Sequence, residues 1–143
     1  QYVSNLLYKE YSKEIIETNI YKVKYMLEDL RDRSATINDL YNFSKFIFDR
    51  EIFLSEETFI IINNAPKVII KNLVCNLEKI QEWNIENIEI TINSFIKNNS
   101  MKLKDIAMPL RAVLTGNKNS PNIFKIIFIL GKKETLLRLQ KYF

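Results

Sequence analysis

The stretch KLKDIAMPLRAVLTGNKNSPNIFKIIFILGKKETLLRL, residues 102–139, decides the fold of this chain. Both glycines of the sequence lie in it, Gly116 and Gly131, each directly after an apolar helical run. Glycine readily adopts the positive φ angle with which many helices end. The stretch therefore predicts one helix that ends at Gly116, a second that ends at Gly131, and a last basic helix that runs on to Phe143.

The second of these helices also has a start signal, and the first has an irregularity. Ser120 can accept a hydrogen bond from the first free N–H groups of the helix, and Pro121 suits the first helical position because its missing N–H costs nothing there. We therefore predict that Ser120 caps the helix and that Pro121 opens it.

Within the preceding helix, Pro109 removes one hydrogen bond, so we expect a kink or a break there.

The first helix has an apolar face and a polar face. The apolar face is formed by Leu103, Ile106, Ala107, Leu110, Val113 and Leu114. The polar face carries Arg111, one of only five arginines in the chain. The planar guanidinium of arginine can pair with base edges and stack on base faces, whereas lysine offers only a point charge. Arg111 is therefore a candidate for contact with unstacked bases of an RNA loop.

The loop after this helix adds further candidates. Free N–H groups at the start of the next helix, around Ser120, Asn122 and Ile123, can donate to a phosphate or a base carbonyl. Lys118 lies in the loop itself, where it could meet a phosphate backbone. From the pattern alone, an ordinary helical hairpin whose arginine pairs with a neighbouring acid is an equally good interpretation.

The remainder of the chain has helical periodicity and no sustained strand alternation, so we predict an all-α protein. Thr36 and Asp39 form a start signature for one helix. We place a subdomain boundary in the turn that ends the first helical part, which gives a first subdomain over 1–53 and a second over 54–143. Thr18 to Arg31 is expected to form one helix, and Cys75 is expected to pack as a small apolar residue.

Composition excludes several classes of function. The chain of 143 residues has no histidine, one cysteine and two glycines. It therefore lacks the commonest general base and metal ligand, and no glycine-rich phosphate loop can be drawn. We expect no catalytic residue and no metal site on it. No apolar run approaches the roughly 20 residues that cross a bilayer, and we expect a cytoplasmic protein. The net charge of +4 permits contact with nucleic acid.

Residues 102–139 resemble a segment of a known protein family. The order PLRAVLTG, polar loop, SPNIF, ILGKKETLLRL resembles the C-terminal end of bacterial glutamyl-tRNA synthetases, without a gap over about forty residues. The stretch LEDLRDRSATINDL, residues 27–40, resembles the family's Arg-x-x-Thr-Leu segment, whereas residues 52–96 match in helical rhythm only. The resemblance implies a helical anticodon-binding cage of the class I synthetase type, in two helical subdomains.

The resemblance also implies site residues. In the family, the arginine of the Leu-Arg helix and the residues that open the next helix line the anticodon pocket. By position these are Arg111, Ser120, Pro121, Asn122 and Ile123, of which Asn122 stands where the family often has glycine. An arginine before the Thr-Leu step reads the third anticodon base in enzymes selective for the glutamate tRNA. Arg33 occupies that position, with Arg31 as its rival.

The absence of the family's catalytic signatures is consistent with a chain that is part of a larger enzyme. The family's His-x-Gly-His-like and Lys-Met-Ser-Lys-like signatures are missing, and the sequence begins with Gln1. The resemblance implies the tRNA-binding part of a glutamate–tRNA ligase, which uses ATP and magnesium in its catalytic half and accepts the glutamate tRNA or also the glutamine tRNA. A monomer is the default expectation for the oligomeric state. The alternative is a helical protein-interaction domain whose apolar grooves bind a partner helix.

Overall fold

The computed structural model describes residues 2–118 and 121–143, and within them it is all-helical. No strand occurs in these ranges, so the predicted all-α class is confirmed. The helices are α1 (Tyr2–Glu10), α2 (Lys13–Tyr25), α3 (Leu27–Asp32), α4 (Ile37–Ser44), α5 (Glu56–Asn63), α6 (Lys67–Glu78), α7 (Ile85–Asn98), α8 (Leu103–Thr115), α9 (Ile123–Leu130) and α10 (Lys132–Gln140), with a 3-10 helix over Lys45–Ile47. None of these helices has the length and apolar character that a membrane span requires.

The chain divides into two compact units, residues 1–51 and 52–143. The sequence placed the division between residues 53 and 54. Ile52 and Phe53 fall in the second unit, where they lie against Gly116 at the end of α8.

In the first unit, the single helix predicted from Thr18 to Arg31 is wrong in both its start and its continuity. α2 begins at Lys13, because the Ser12 side chain accepts a hydrogen bond from the N–H of Ile15 and caps the helix. Met26 then interrupts the run, with φ −94° and ψ 7°, before α3 begins. The Met26 side chain is fully buried, so packing holds this break in place.

The start of α4 agrees with its sequence signal. The Thr36 hydroxyl accepts from the N–H of Asp39 at 3.1 Å, and the Asp39 carboxylate accepts from the N–H of Thr36 at 2.9 Å. The same carboxylate accepts from the N–H of Ala35 at 3.1 Å. This reciprocal capping box fixes the turn that joins α3 to α4.

A cluster of polar side chains ties α1 to the end of the first unit. Tyr11 donates a hydrogen bond to the Asp49 carboxylate, and Lys45 forms an ion pair with Glu10 at 2.9 Å. Burial first, and then the hydrogen bond to Asp49, raise the pKa of Tyr11. Hydrogen bonds from Tyr41 and Lys45 lower the pKa of Glu10. The cluster therefore favours ionised Glu10 beside protonated tyrosines.

We expect Tyr41→Phe to destabilise the protein at neutral pH by about 1 kcal/mol, the usual net value of one hydrogen bond, and less at alkaline pH. Burial and the Glu10 hydrogen bond raise the pKa of Tyr41 to about 12. A pKa raised by folding contributes stability that is complete below the unfolded value, about 10 for tyrosine, and that is lost as the pH rises through the folded value. The difference in the free energy of unfolding between wild type and variant should therefore narrow as the pH rises from about 10 to about 12.

Urea unfolding followed by the circular dichroism of the helices measures this gap. Tyr2→Phe is the matched control, since it removes the same hydroxyl from a side chain that is 73% exposed and should change stability little. A Tyr41→Phe gap that stays constant with pH would contradict the prediction.

In the second unit, α5 and α7 each begin at a side chain that caps the helix. Ser55 caps α5 by accepting from the N–H of Thr58 at 3.2 Å, and Asn84 caps α7 by accepting from the N–H of Asn87 at 2.8 Å. α6 follows directly on Pro66. The expectation for Cys75 was wrong: its side chain is exposed, because the buried face of α6 is formed by Ile70, Leu73, Val74 and Leu77.

The helix that carries Arg111 is continuous. α8 runs through Pro109 without a break, and Pro109 is buried, so packing of its ring offsets the hydrogen bond that it cannot donate. Gly116 ends α8 with φ 72°, and Gly131 ends α9 with φ 82°, as predicted. Both helices pack against each other and against α10 in the core of the second unit.

Candidate nucleic-acid interface

The end of α8 and the start of α9 are joined by a direct contact of Arg111. Its Nε donates to the carbonyl oxygen of Pro121 at 3.4 Å. One turn further on, the Thr115 hydroxyl lies 2.8 Å from the Arg111 carbonyl oxygen and accepts from the N–H of Asn117 at 3.1 Å. The half-buried Arg111 side chain therefore connects α8 to the residue that follows the polar loop.

The start of α9 differs from its prediction. Asn122, and not Ser120, is the N-cap: its Oδ1 accepts from the N–H of Phe124 at 2.9 Å and from that of Lys125 at 3.4 Å. Pro121 therefore precedes the cap instead of opening the helix, and the first helical residue is Ile123. The physical reason is that asparagine is at least as good an N-cap as serine. Ser120 itself lies outside the described residues.

Burial limits what the predicted residues at this helix start can offer. Ile123 is only 2% exposed, so it can contribute to a ligand only through its backbone N–H. Pro121 is buried as well, and its carbonyl oxygen already accepts from Arg111. Asn122 is exposed.

Lys118 follows in the same loop, but it is not isolated there. Its Nζ forms an ion pair of 2.5 Å with the carboxylate of Glu57 in the first turn of α5. No local pattern points to this partner, because the two residues are 61 positions apart. The pair lies at the surface, where such pairs contribute little stability and exchange readily.

Arg33, which is predicted to read the third base of the anticodon, lies in the first unit at the C-terminal end of α3. It is exposed, and it forms no ion pair with any residue of the described ranges. The turn that follows is held by the Ser34 hydroxyl, which donates to the Leu30 carbonyl oxygen, and by the capping box of α4. Its rival Arg31 lies in a shallow depression with Glu28 and Asp32.

Comparison with known proteins identifies this arrangement. Residues 4–143 match the family described as anticodon binding domain. The chain belongs to this family. Its curated relatives include glutamate–tRNA ligase 2 of Brucella ovis and glutamate–tRNA ligase 1 of Brucella melitensis biotype 1, each 30% identical over 132 residues, which is 92% of this chain and 28% of the relative.

A solved structure extends the match to the fold of the anticodon-binding domain. The crystal structure of a glutamate tRNA ligase from Elizabethkingia meningosepticum superposes with a TM-score of 0.74 at 21% identity and covers 98% of this chain and 27% of that one. The predicted synthetase-type helical fold is thereby confirmed. This chain spans little more than a quarter of the length of the ligases that it matches.

One further arginine of the anticodon-binding domain, Arg138, was not among the predicted site residues. Arg138 on α10 is 7% exposed, and its Nη1 donates to the carbonyl oxygen of Leu114 at 2.7 Å. Its Nε donates to the carboxylate of Glu134 at 2.8 Å. A glutamate four residues before an arginine on a helix is a detectable signal for that ion pair, but nothing in the sequence points to Leu114.

Proposed function

We propose that this chain is the anticodon-binding part of a glutamate–tRNA ligase. The observation that carries the proposal is that 92% of the chain aligns with proteins named glutamate–tRNA ligase. The site supports it: Arg111, which donates a hydrogen bond to the Pro121 carbonyl oxygen, lies beside a polar loop and the exposed Asn122. Arginine and polar groups of this kind recognise unstacked loop bases. The mechanism is positioning, in which the grip on the anticodon loop directs the acceptor end of the tRNA to a remote active site.

Each site residue has a role in this proposal. Arg111 reads a base, Pro121 and Asn122 shape the wall beside it, and the backbone N–H of Ile123 donates to the RNA, together with Ser120. Lys118 contacts a phosphate, and that contact is sensitive to salt. Arg33 reads a further base; its exposure and the ordered turn after it support this role better than Arg31, which has two acids beside it.

The rest of the proposed ligase would supply the chemistry. The whole enzyme would join glutamate to tRNA with ATP and magnesium, acting as a monomer in the cytoplasm. Its tRNA would be the glutamate acceptor or also the glutamine acceptor. Within the described residues, no group of three or more carboxylate or thiol side chains is arranged to hold a metal ion.

A second candidate function rests on a separate observation in the first unit. An apolar groove there is lined by Tyr2, Val3, Ile20, Val23, Leu27, Ile37 and Leu40. Tyr2 and Ile37 are 73% and 49% exposed. Such a groove would suit the apolar face of a partner helix, as in a protein-interaction domain.

Fluorescence anisotropy with labelled anticodon stem-loops separates the two candidates. We expect tighter binding to the stem-loop with the glutamate anticodon than to one with a scrambled loop of the same stem, at two salt concentrations. The glutamine anticodon loop, measured alongside, would show whether both tRNAs are accepted. Equal and weak binding to all three loops would contradict the proposal and favour the protein-interaction domain.

The ion pair between Glu57 and Lys118 leads to a prediction about affinity. Glu57→Gln should tighten RNA binding about two- to fivefold at low salt, because Lys118 then no longer has to leave a carboxylate to meet a phosphate. Lys118→Ala should weaken binding to all loops alike and lower the slope of log K against log salt by about 1. Both effects are measured by the same anisotropy titrations.

Glu56→Gln is the matched control, since it removes the same charge from the same turn of α5. If Glu56→Gln tightens binding as much as Glu57→Gln, the gain comes from net charge and the specific role of the pair is wrong.

A further inference from the structure

Arg138 is a buried charged residue that has no role in the proposed contacts with RNA. Its side chain is 7% exposed and lies in the core of the second unit. Desolvation of a guanidinium costs several kcal/mol unless it is paired, and an apolar residue of similar volume often serves stability as well. Here Glu134 balances the charge, while Nη1 points away from that partner to the carbonyl oxygen of Leu114. The group is thus built to reach the end of α8.

We infer that Arg138 is a positioning residue for anticodon readout and acts through Arg111. This inference rests on the proposed function and assigns Arg138 no contact with RNA. The Leu114 carbonyl is one of the last in α8, and such carbonyls lack partners within the helix. A cation at a helix C-terminus also interacts favourably with the helix dipole. Arg138 thereby holds the final turn of α8, which Arg111 begins.

The other carbonyls of this turn are held as well. The N–H of Gly116 donates to the Ala112 carbonyl oxygen at 2.9 Å, and the Thr115 hydroxyl lies 2.8 Å from that of Arg111. The contact between Arg111 Nε and the Pro121 carbonyl oxygen, at 3.4 Å, is longer than most N–H···O bonds. A displacement of the last turn of α8 by a few tenths of an ångström would therefore break it. Without Arg138, Arg111 would lose this contact with Pro121.

A double-mutant cycle tests whether Arg138 acts through Arg111. Arg138→Met keeps an unbranched side chain that extends about as far as Nε and removes the guanidinium donors. We expect it to reduce the preference for the glutamate anticodon loop over the scrambled loop roughly tenfold, and to add little further loss in an Arg111→Ala background. Arg138→Lys, which keeps the charge, should restore part of the preference.

A control separates positioning from stability alone. Ile70→Val removes one methylene from a fully buried residue of α6, and it should lower the urea concentration at the midpoint of unfolding without changing loop preference. Three results would overturn the inference: unchanged preference in Arg138→Met, losses that add fully with Arg111→Ala, or an equal loss of preference in Ile70→Val.

A second measurement needs no RNA. The Nε–H signal of Arg111 in a ¹⁵N spectrum, assigned by its absence from Arg111→Lys, reports the hydrogen bond to Pro121. Arg138→Met should shift this signal and speed its hydrogen exchange, while Ile70→Val should leave both unchanged. If wild type does not distinguish the loops, the proposed function fails, and this signal still decides the positioning role. An unmoved Arg111 signal would overturn the inference whatever the RNA result.

Discussion

Gly116→Ala is expected to lower the free energy of unfolding by roughly 2–5 kcal/mol, combining backbone strain with overpacking. Gly116 ends α8 in the left-handed region at φ 72°, which costs other residues about 1–2 kcal/mol. An added Cβ would also lie 2.6 Å from the Phe53 carbonyl oxygen and 2.7 Å from the Ile52 side chain. The first of these is a backbone atom that cannot rotate away, so either α8 or the segment before α5 must move.

Gly131→Ala is the matched control for this prediction. Gly131 also has a positive φ, 82° with ψ 163°, but nothing lies within 4 Å of the position of an added Cβ. Its substitution should cost only the backbone strain, about 1–3 kcal/mol. A larger loss in Gly116→Ala than in Gly131→Ala therefore indicates steric overlap, because the left-handed conformation of Gly116 is the less strained of the two for alanine.

Urea unfolding followed by the fluorescence of Trp83 suits both variants. It is the only tryptophan of the chain, and its indole N–H donates to the Ile127 carbonyl oxygen at 3.3 Å inside the same unit. If Gly116→Ala loses no more than the roughly 1–2 kcal/mol of left-handed backbone strain, the close approach of Phe53 does not contribute to its destabilisation.

Helix ends were predictable from the sequence wherever the signal lies within a few residues. The capping box of Thr36 and Asp39 involves residues three apart, and each glycine sets its own backbone angle. The same local logic failed where two signals compete. Ser120 and Asn122 are both good caps two positions apart, and the structure uses Asn122.

The parts that could not be predicted depend on partners distant in the sequence. Arg138 meets a carbonyl 24 positions away, and Lys118 meets a carboxylate 61 positions away. Met26 interrupts a sequence with continuous helical period because its buried side chain packs there, and the exposure of Cys75 follows from the rotation of α6 about its axis. Helical periodicity gives a face, but tertiary packing decides its exact direction.

Arg111→Lys is expected to reduce discrimination between anticodon loops by about 1–3 kcal/mol while leaving the salt dependence nearly unchanged. Lysine keeps the positive charge, so attraction to the phosphate backbone persists. It lacks the second set of planar donors: Arg111 uses Nε to hold the Pro121 carbonyl oxygen, and the fixed plane then directs the rest of the guanidinium. A lysine ammonium cannot both donate a hydrogen bond to the Pro121 carbonyl oxygen through a separate side-chain nitrogen and present a planar group to a base.

Anisotropy titrations of the glutamate and scrambled loops, at two salt concentrations, measure both quantities. Arg50→Lys is the matched control, because it makes the same chemical change at an exposed arginine of the first unit that has no assigned role. Retained discrimination in Arg111→Lys would mean that charge alone is used, and Arg111 would then be a phosphate contact like Lys118. Lost discrimination with an unchanged salt slope would mean that the planar guanidinium, held at Nε by the Pro121 carbonyl oxygen, distinguishes the bases.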